Sequence, residues 1–124
     1  MKKKIGSLEA HNNLEELVAK ELKAKGWKNI TKNTNYVGMN SKGNSHSGEI
    51  DIYATKYNKY LFVGEVKSGV ANAKKSDKAI GQLYRAISRY FSKLFPTFRK
   101  FPFYIHPDED DQPIYEGIKF ESAK

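Results

Sequence analysis

Gly48-Glu49-Ile50-Asp51-Ile52-Tyr53-Ala54-Thr55 and Tyr60-Leu61-Phe62-Val63-Gly64-Glu65-Val66-Lys67 are two short runs rich in β-branched and aromatic residues, four residues apart. Each alternates with period two, the mark of a strand with one face on a core. In the first, Ile50, Ile52 and Ala54 fall on one face and Glu49, Asp51 and Tyr53 on the other; in the second, Glu65 and Lys67 share a face that Val66 opposes. The pair reads as a hairpin. A three-residue connection through Tyr57, Asn58 and Lys59 sets Lys56 opposite Tyr60 and carries Asp51 opposite Glu65, with Asn58 or Lys59 in the left-handed position. A two- or four-residue turn without a bulge would send the carboxylates to opposite faces.

Upstream, Leu14, Leu17, Val18 and Leu22 recur at helical spacing between Ser7, a plausible N-cap, and Gly26, a left-handed stop. Trp27 to Tyr36 reads as a strand whose end Asn33 and Asn35 weaken, and Met39 to Ser47 as an exposed polar loop. Downstream, Ser68 to Lys75 reads as a polar connection. Ile80, Leu83, Tyr84, Ile87, Phe91 and Leu94 then mark a second amphipathic helix ending before Pro96. Phe101 to Ile105 and Pro113 to Phe120 read as strands joined by the acidic turn Pro107-Asp108-Glu109-Asp110-Asp111. The order α-β-β-β-α-β-β predicts an α/β fold with a central mixed sheet flanked by helices. At 124 residues, without repeats or linkers, residues 1-124 are expected to form a single domain.

Lys and Arg total 22 against 14 Asp and Glu, and six of the acids lie in the last seventeen residues. Residues 1 to 107 therefore hold 20 basic and 8 acidic side chains, net +12, which makes a polyanion such as nucleic acid the natural partner. The chain has no cysteine, which excludes disulfides, thiolate zinc sites and a cysteine nucleophile. Met1-Lys2-Lys3-Lys4 is followed by no apolar run, and no stretch suits a membrane span, so a cytoplasmic protein with no membrane partner is expected.

Phosphodiester hydrolysis needs a cation at the phosphate, a positioned water and a positive group facing the developing charge. Magnesium takes oxygen ligands and keeps several waters. Asp51 and Glu65 are the candidate carboxylate ligands, the Val66 carbonyl a third, and Lys67 lies one pleat from Glu65. Beside two carboxylates the charged ammonium is favoured. Lys67 is thus read as orienting the attacking water and stabilising the pentavalent phosphate, with a general-base role as the alternative. Lys42, Lys74, Lys75, Lys78, Arg85 and Arg89 flank these residues in sequence and would track phosphates. The acidic turn lacks the glycine and spaced glutamate of a calcium loop and reads as a solvated turn or a guard on the sheet edge.

An acid on one strand followed by Glu-x-Lys on the next resembles the PD-(D/E)XK nuclease superfamily, and the two quoted runs look like those of small archaeal Holliday-junction resolvases and compact restriction-endonuclease-like proteins. Those carry a first-helix glutamate, a leucine seven residues on, then Gly and an aromatic, as do Glu15, Leu22, Gly26 and Trp27. The resemblance implies a restriction-endonuclease-like core. It assigns Glu15 to the metal site or its water shell, and Gln82, on the following helix, to the site or substrate. The sequence departs from the pattern at Ile50, in place of the nominal proline, and at Ala86, where some members have tyrosine. The expected activity is a magnesium-dependent DNA endonuclease, with manganese able to substitute and branched DNA implied by the resemblance alone. RNA stays open as a substrate, and resolvase action would need a homodimer, for which the aromatic C-terminal segment offers an interface. A non-catalytic nucleic-acid-binding module on the same fold is the rival reading.

Overall fold

The computed structural model describes residues 7–39, 42–69 and 72–119, the side chains of Ser7, Met39 and His46 excepted. Helix α1 (Ser7–Ala24) leads into β1 (Lys28–Met39), β2 (Ser45–Lys56) and β3 (Tyr60–Val66). Helix α2 (Ala73–Ala86) continues through a π-helical turn, Ile87–Phe91, into the short α3 (Ser92–Leu94), and β4 (Arg99–Pro107) and β5 (Pro113–Gly117) complete the chain. The strands form one sheet in the order β1-β2-β3-β4-β5. Only β3 and β4 pair in parallel, so the sheet is mixed. The helical crossover is what a parallel pair requires, because a tight turn cannot return the chain in the same direction.

Helix α1 ends in a Schellman arrangement. The Trp27 N–H donates to the Leu22 carbonyl at 3.0 Å and the Gly26 N–H to that of Lys23 at 3.1 Å, with Gly26 at φ +90°. Its Leu14, Val18 and Leu22 pack on Ile52, Ala54, Phe62, Val66 and Ile105. Across the sheet, Leu83, Ala86 and Phe91 pack on Tyr36, Ile50, Leu61 and Val63. Helices thus cover both faces of the sheet centre.

The turn carries the register expected for it: Lys56 pairs with Tyr60 and Ile52 with Gly64, which continues to Asp51 beside Glu65. Asn58, one of the two residues expected there, takes the left-handed position, joined by Tyr57, and the Lys59 N–H closes the turn onto the Lys56 carbonyl. The expected alternation along β2 fails at one point. Ile50 belongs to the α2-side core, whereas Ile52 and Ala54 belong to the α1 side. The strand exchanges faces at Asp51. Opposite this point on β1, Asn33 between the pairs Lys32–Ile52 and Thr34–Ile50 stands at φ +53°. Asparagine tolerates that conformation better than other side-chain-bearing residues.

The expected Met39–Ser47 loop is much shorter. β1 and β2 pair out to Met39 and Ser45, because ladder hydrogen bonds hold even this Ser- and Gly-rich sequence extended. Helix α2 starts inside the expected polar connection, where the Asn72 side chain caps it by accepting from the Lys75 N–H at 2.9 Å. Helix α1 begins at Ser7, and β5 stops at Gly117; Phe120 and Met1 to Lys4 lie outside the described residues.

Candidate active site

At the face exchange the β2–β3 ladder opens. Asp51 and Val66 exchange no backbone bond of the ladder; each bonds a carboxylate of the neighbouring strand. The Asp51 N–H donates to Glu65 Oε1 at 3.2 Å, and the Val66 N–H donates to Asp51 Oδ2 at 2.8 Å. Both carboxylates are thereby drawn into the gap, Asp51 8% exposed and Glu65 2%. Lys67 follows the end of β3, its N–H held by the Ile105 carbonyl at 2.9 Å, and its Nζ lies 3.7 Å from Glu65 Oε2.

These residues line an open cleft of about 310 Å³ together with Val66, Gln82, Glu49, Lys75 and Lys78. The Lys75 ammonium donates to the Ser68 carbonyl at 3.0 Å, which ties the start of α2 to the end of β3. Gln82, one of the residues assigned by resemblance, has its carboxamide oxygen buried without a hydrogen-bond partner. Such an acceptor costs free energy unless a ligand or water supplies a donor.

Glu15 lies on α1, 2% exposed, with Oε1 accepting from Asn33 Nδ2 at 3.1 Å and Oε2 without a hydrogen bond. Between Glu15 and Asp51 stands His11, a residue the sequence reading missed. Its Nε2 is 3.3 Å from Asp51 Oδ2 and its Nδ1 3.7 Å from Glu15 Oε2. The available signal was its place one helical turn before Glu15. Asn33 was missed as well: it stands opposite the face exchange and donates to Glu15.

Burial, then the neighbouring Asp51 charge, pushes the Glu65 carboxyl up to about 9 against the counter-pull of Lys67. Burial and Asp51 also raise Glu15, with His11 and Lys32 pulling the other way. Three carboxylates thus crowd a poorly hydrated space, a donor set that suits a cation. Ligand-type atoms of His11, Glu15 and Asp51 lie within 4.8 Å of one another, and beside them Glu65 Oε1 accepts from the Asp51 backbone N–H.

Not every predicted residue gathers here. Lys74 and Arg85 are exposed on α2, Lys42 sits at the β1–β2 turn, and Arg89 is half-buried where the π-helical turn meets Gly38; none of the four lines the cleft. A Cβ at Gly38 would come within 2.6 Å of the Arg89 carbonyl oxygen, so that contact requires glycine. Asp108 Oδ1 accepts from the N–H groups of Asp110 and Gln112, so the acidic turn is organised around its own backbone. No described helix is long and apolar enough to cross a membrane.

The chain matches no protein-family profile and no curated protein. Among solved structures it is similar to the crystal structure of SSO0001, with a TM-score of 0.52 and 19% identity over 92% of this chain and 52% of that one. At that identity the likeness speaks for the fold alone, and the chain spans about half the length of that protein.

Proposed function

We propose that the chain is a divalent-metal-dependent DNA endonuclease with a restriction-endonuclease-like core, branched DNA being the favoured substrate. The observation that carries the reading is the opened ladder, which brings Asp51, Glu65 and Lys67 into one cleft beside Lys75 and Lys78. Asp51 and Glu65, with the Val66 carbonyl, are the residues that would hold magnesium or manganese, and Glu15 would join directly or through water. His11 offers nitrogen, which magnesium disfavours, so its role is to orient the Asp51 and Glu15 carboxylates. The unpartnered Glu15 oxygen and the raised Glu65 carboxyl are features a cation would relieve.

When bound, the cation supplies charge neutralisation and an acidified water. This chain's own groups do the rest. The Lys67 ammonium faces the scissile phosphate and stabilises the added negative charge, the Gln82 carboxamide oxygen accepts a hydrogen bond from the attacking water, and Lys75 and Lys78 hold flanking phosphates.

The test is cleavage of supercoiled, single-stranded and four-way-junction DNA, with RNA in parallel, in magnesium, manganese or EDTA. Metal-dependent cutting is expected in wild type and should vanish in Glu65→Ala. In Lys67→Ala it should fall by about 10²–10³, the scale for removing one preorganised charge-stabilising donor. Binding without any metal-dependent cutting by wild type would favour the non-catalytic module.

A further inference from the structure

The end of the hairpin opposite the cleft carries a second cationic surface of different chemistry. Trp27, Tyr57, Tyr60, Phe101, Phe103 and Tyr115 line it beside the C-terminal part of α1, whose Glu21 and Leu22, with the following Lys25, form one wall. Two shallow grooves of about 260 Å³ each run between them and share Trp27 and Phe103, so the surface is continuous. Tyr60 stands five residues before Glu65 on β3, roughly 17 Å from the cleft at about 3.3 Å per residue.

The cations here are arranged on the rings. Lys56 Nζ lies 5.6 Å from the Trp27 ring centroid and 5.3 Å from that of Tyr57; Lys59 Nζ is 5.5 Å from Tyr60, and the Arg99 guanidinium 5.4 Å from Phe101. Lys25 adds a fourth positive group at the groove wall, and the one carboxylate lining either groove, Glu21, accepts the Tyr115 hydroxyl hydrogen bond. Tyr57 is 77% exposed at the turn tip. A purely structural aromatic cluster has no need of such a ring of cations, and an apolar protein partner would have to desolvate them.

We propose that this surface binds single-stranded nucleic acid, its bases stacking on the aromatic rings and its phosphates pairing with Lys25, Lys56, Lys59 and Arg99. Except for Lys25, each cation rests against a ring in the free protein. A base that takes its place leaves the charge beside that base's own phosphate, so stacking and ion pairing are satisfied together. Stacking is indifferent to base identity, which makes this a site for unpaired strand rather than for a sequence.

Trp27 is the one tryptophan of the chain, and its emission reports on this surface directly. The full chain in EDTA is titrated with oligo(dT), so binding is read separately from cleavage and either reading can fail alone. Quenching of Trp27 is expected. Tyr57→Ala and the double variant Lys59→Glu/Arg99→Glu, all at exposed positions and checked for an unchanged fold by circular dichroism, should each weaken binding by about tenfold. Absence of quenching, equal binding of an abasic strand with the same number of phosphates, or unchanged affinity in both variants would overturn the proposal. So would a wild-type dimer in sedimentation that Tyr57→Ala dissociates, because the surface would then join two copies of the chain.

Discussion

Glu65 is the residue on which the cleft's electrostatics turn. Its carboxyl is raised from 4.5 to about 9 by burial first and Asp51 second. In the metal-free protein it therefore binds a proton that the unfolded chain has already released. That contribution to stability is complete below pH 4.5 and is lost as the pH climbs toward 9. Glu65→Gln keeps an acceptor for the Asp51 N–H and has no charge to form. In EDTA, its melting temperature should exceed that of wild type by a margin that widens from pH 6 to pH 9; a constant difference would contradict this account. The placement of Glu65 beside Asp51 was legible from the register of a three-residue turn. His11 was not: a lone histidine on a helix declares a role only once Asp51, forty positions away, is brought against it.

At the scale of elements, what could be read depended on whether a conformation is decided locally. The stop after α1 is local: Gly26 sits at φ +90°, and a Cβ there would meet the far end of the Lys56 side chain, Cε at 3.6 Å and Nζ at 3.9 Å, both ordinary contacts. Gly26→Ala should therefore cost the backbone penalty alone, about 1–2 kcal/mol, measured by urea denaturation. The second helix, both C-terminal strands and the acidic turn also followed from periodicity and turn residues. The face exchange at Asp51 did not, because it shows only once β2 is paired with an adjacent strand, where it lies opposite the left-handed Asn33. The length of the β1–β2 hairpin was hidden for a related reason. Its outer half holds little apolar side chain, and partner strands rather than composition keep it extended.

Across the whole molecule, charge is divided by position. The acidic turn follows β4 at the cleft end, and its Asp111 packs near the N-terminal half of α1, while Lys75 and Lys78 stand on α2 at the cleft itself. Duplex binding at the cleft should therefore weaken linearly in log Kd against log salt. Replacing both lysines by glutamine should lower that slope by about 2, near 0.9 for each phosphate contact released. Fluorescence anisotropy with a labelled duplex in EDTA measures it, and an unchanged slope would remove these lysines from the interface. The opened β2–β3 ladder has one further consequence. Where β2 and β3 separate, the amides of Asp51 and Val66 are held by carboxylates instead of carbonyls. Anything that claims those carboxylates must loosen or re-aim two main-chain bonds, so the pair of amides forms a built-in occupancy gauge, legible in a nitrogen–proton spectrum without any label on the ligand.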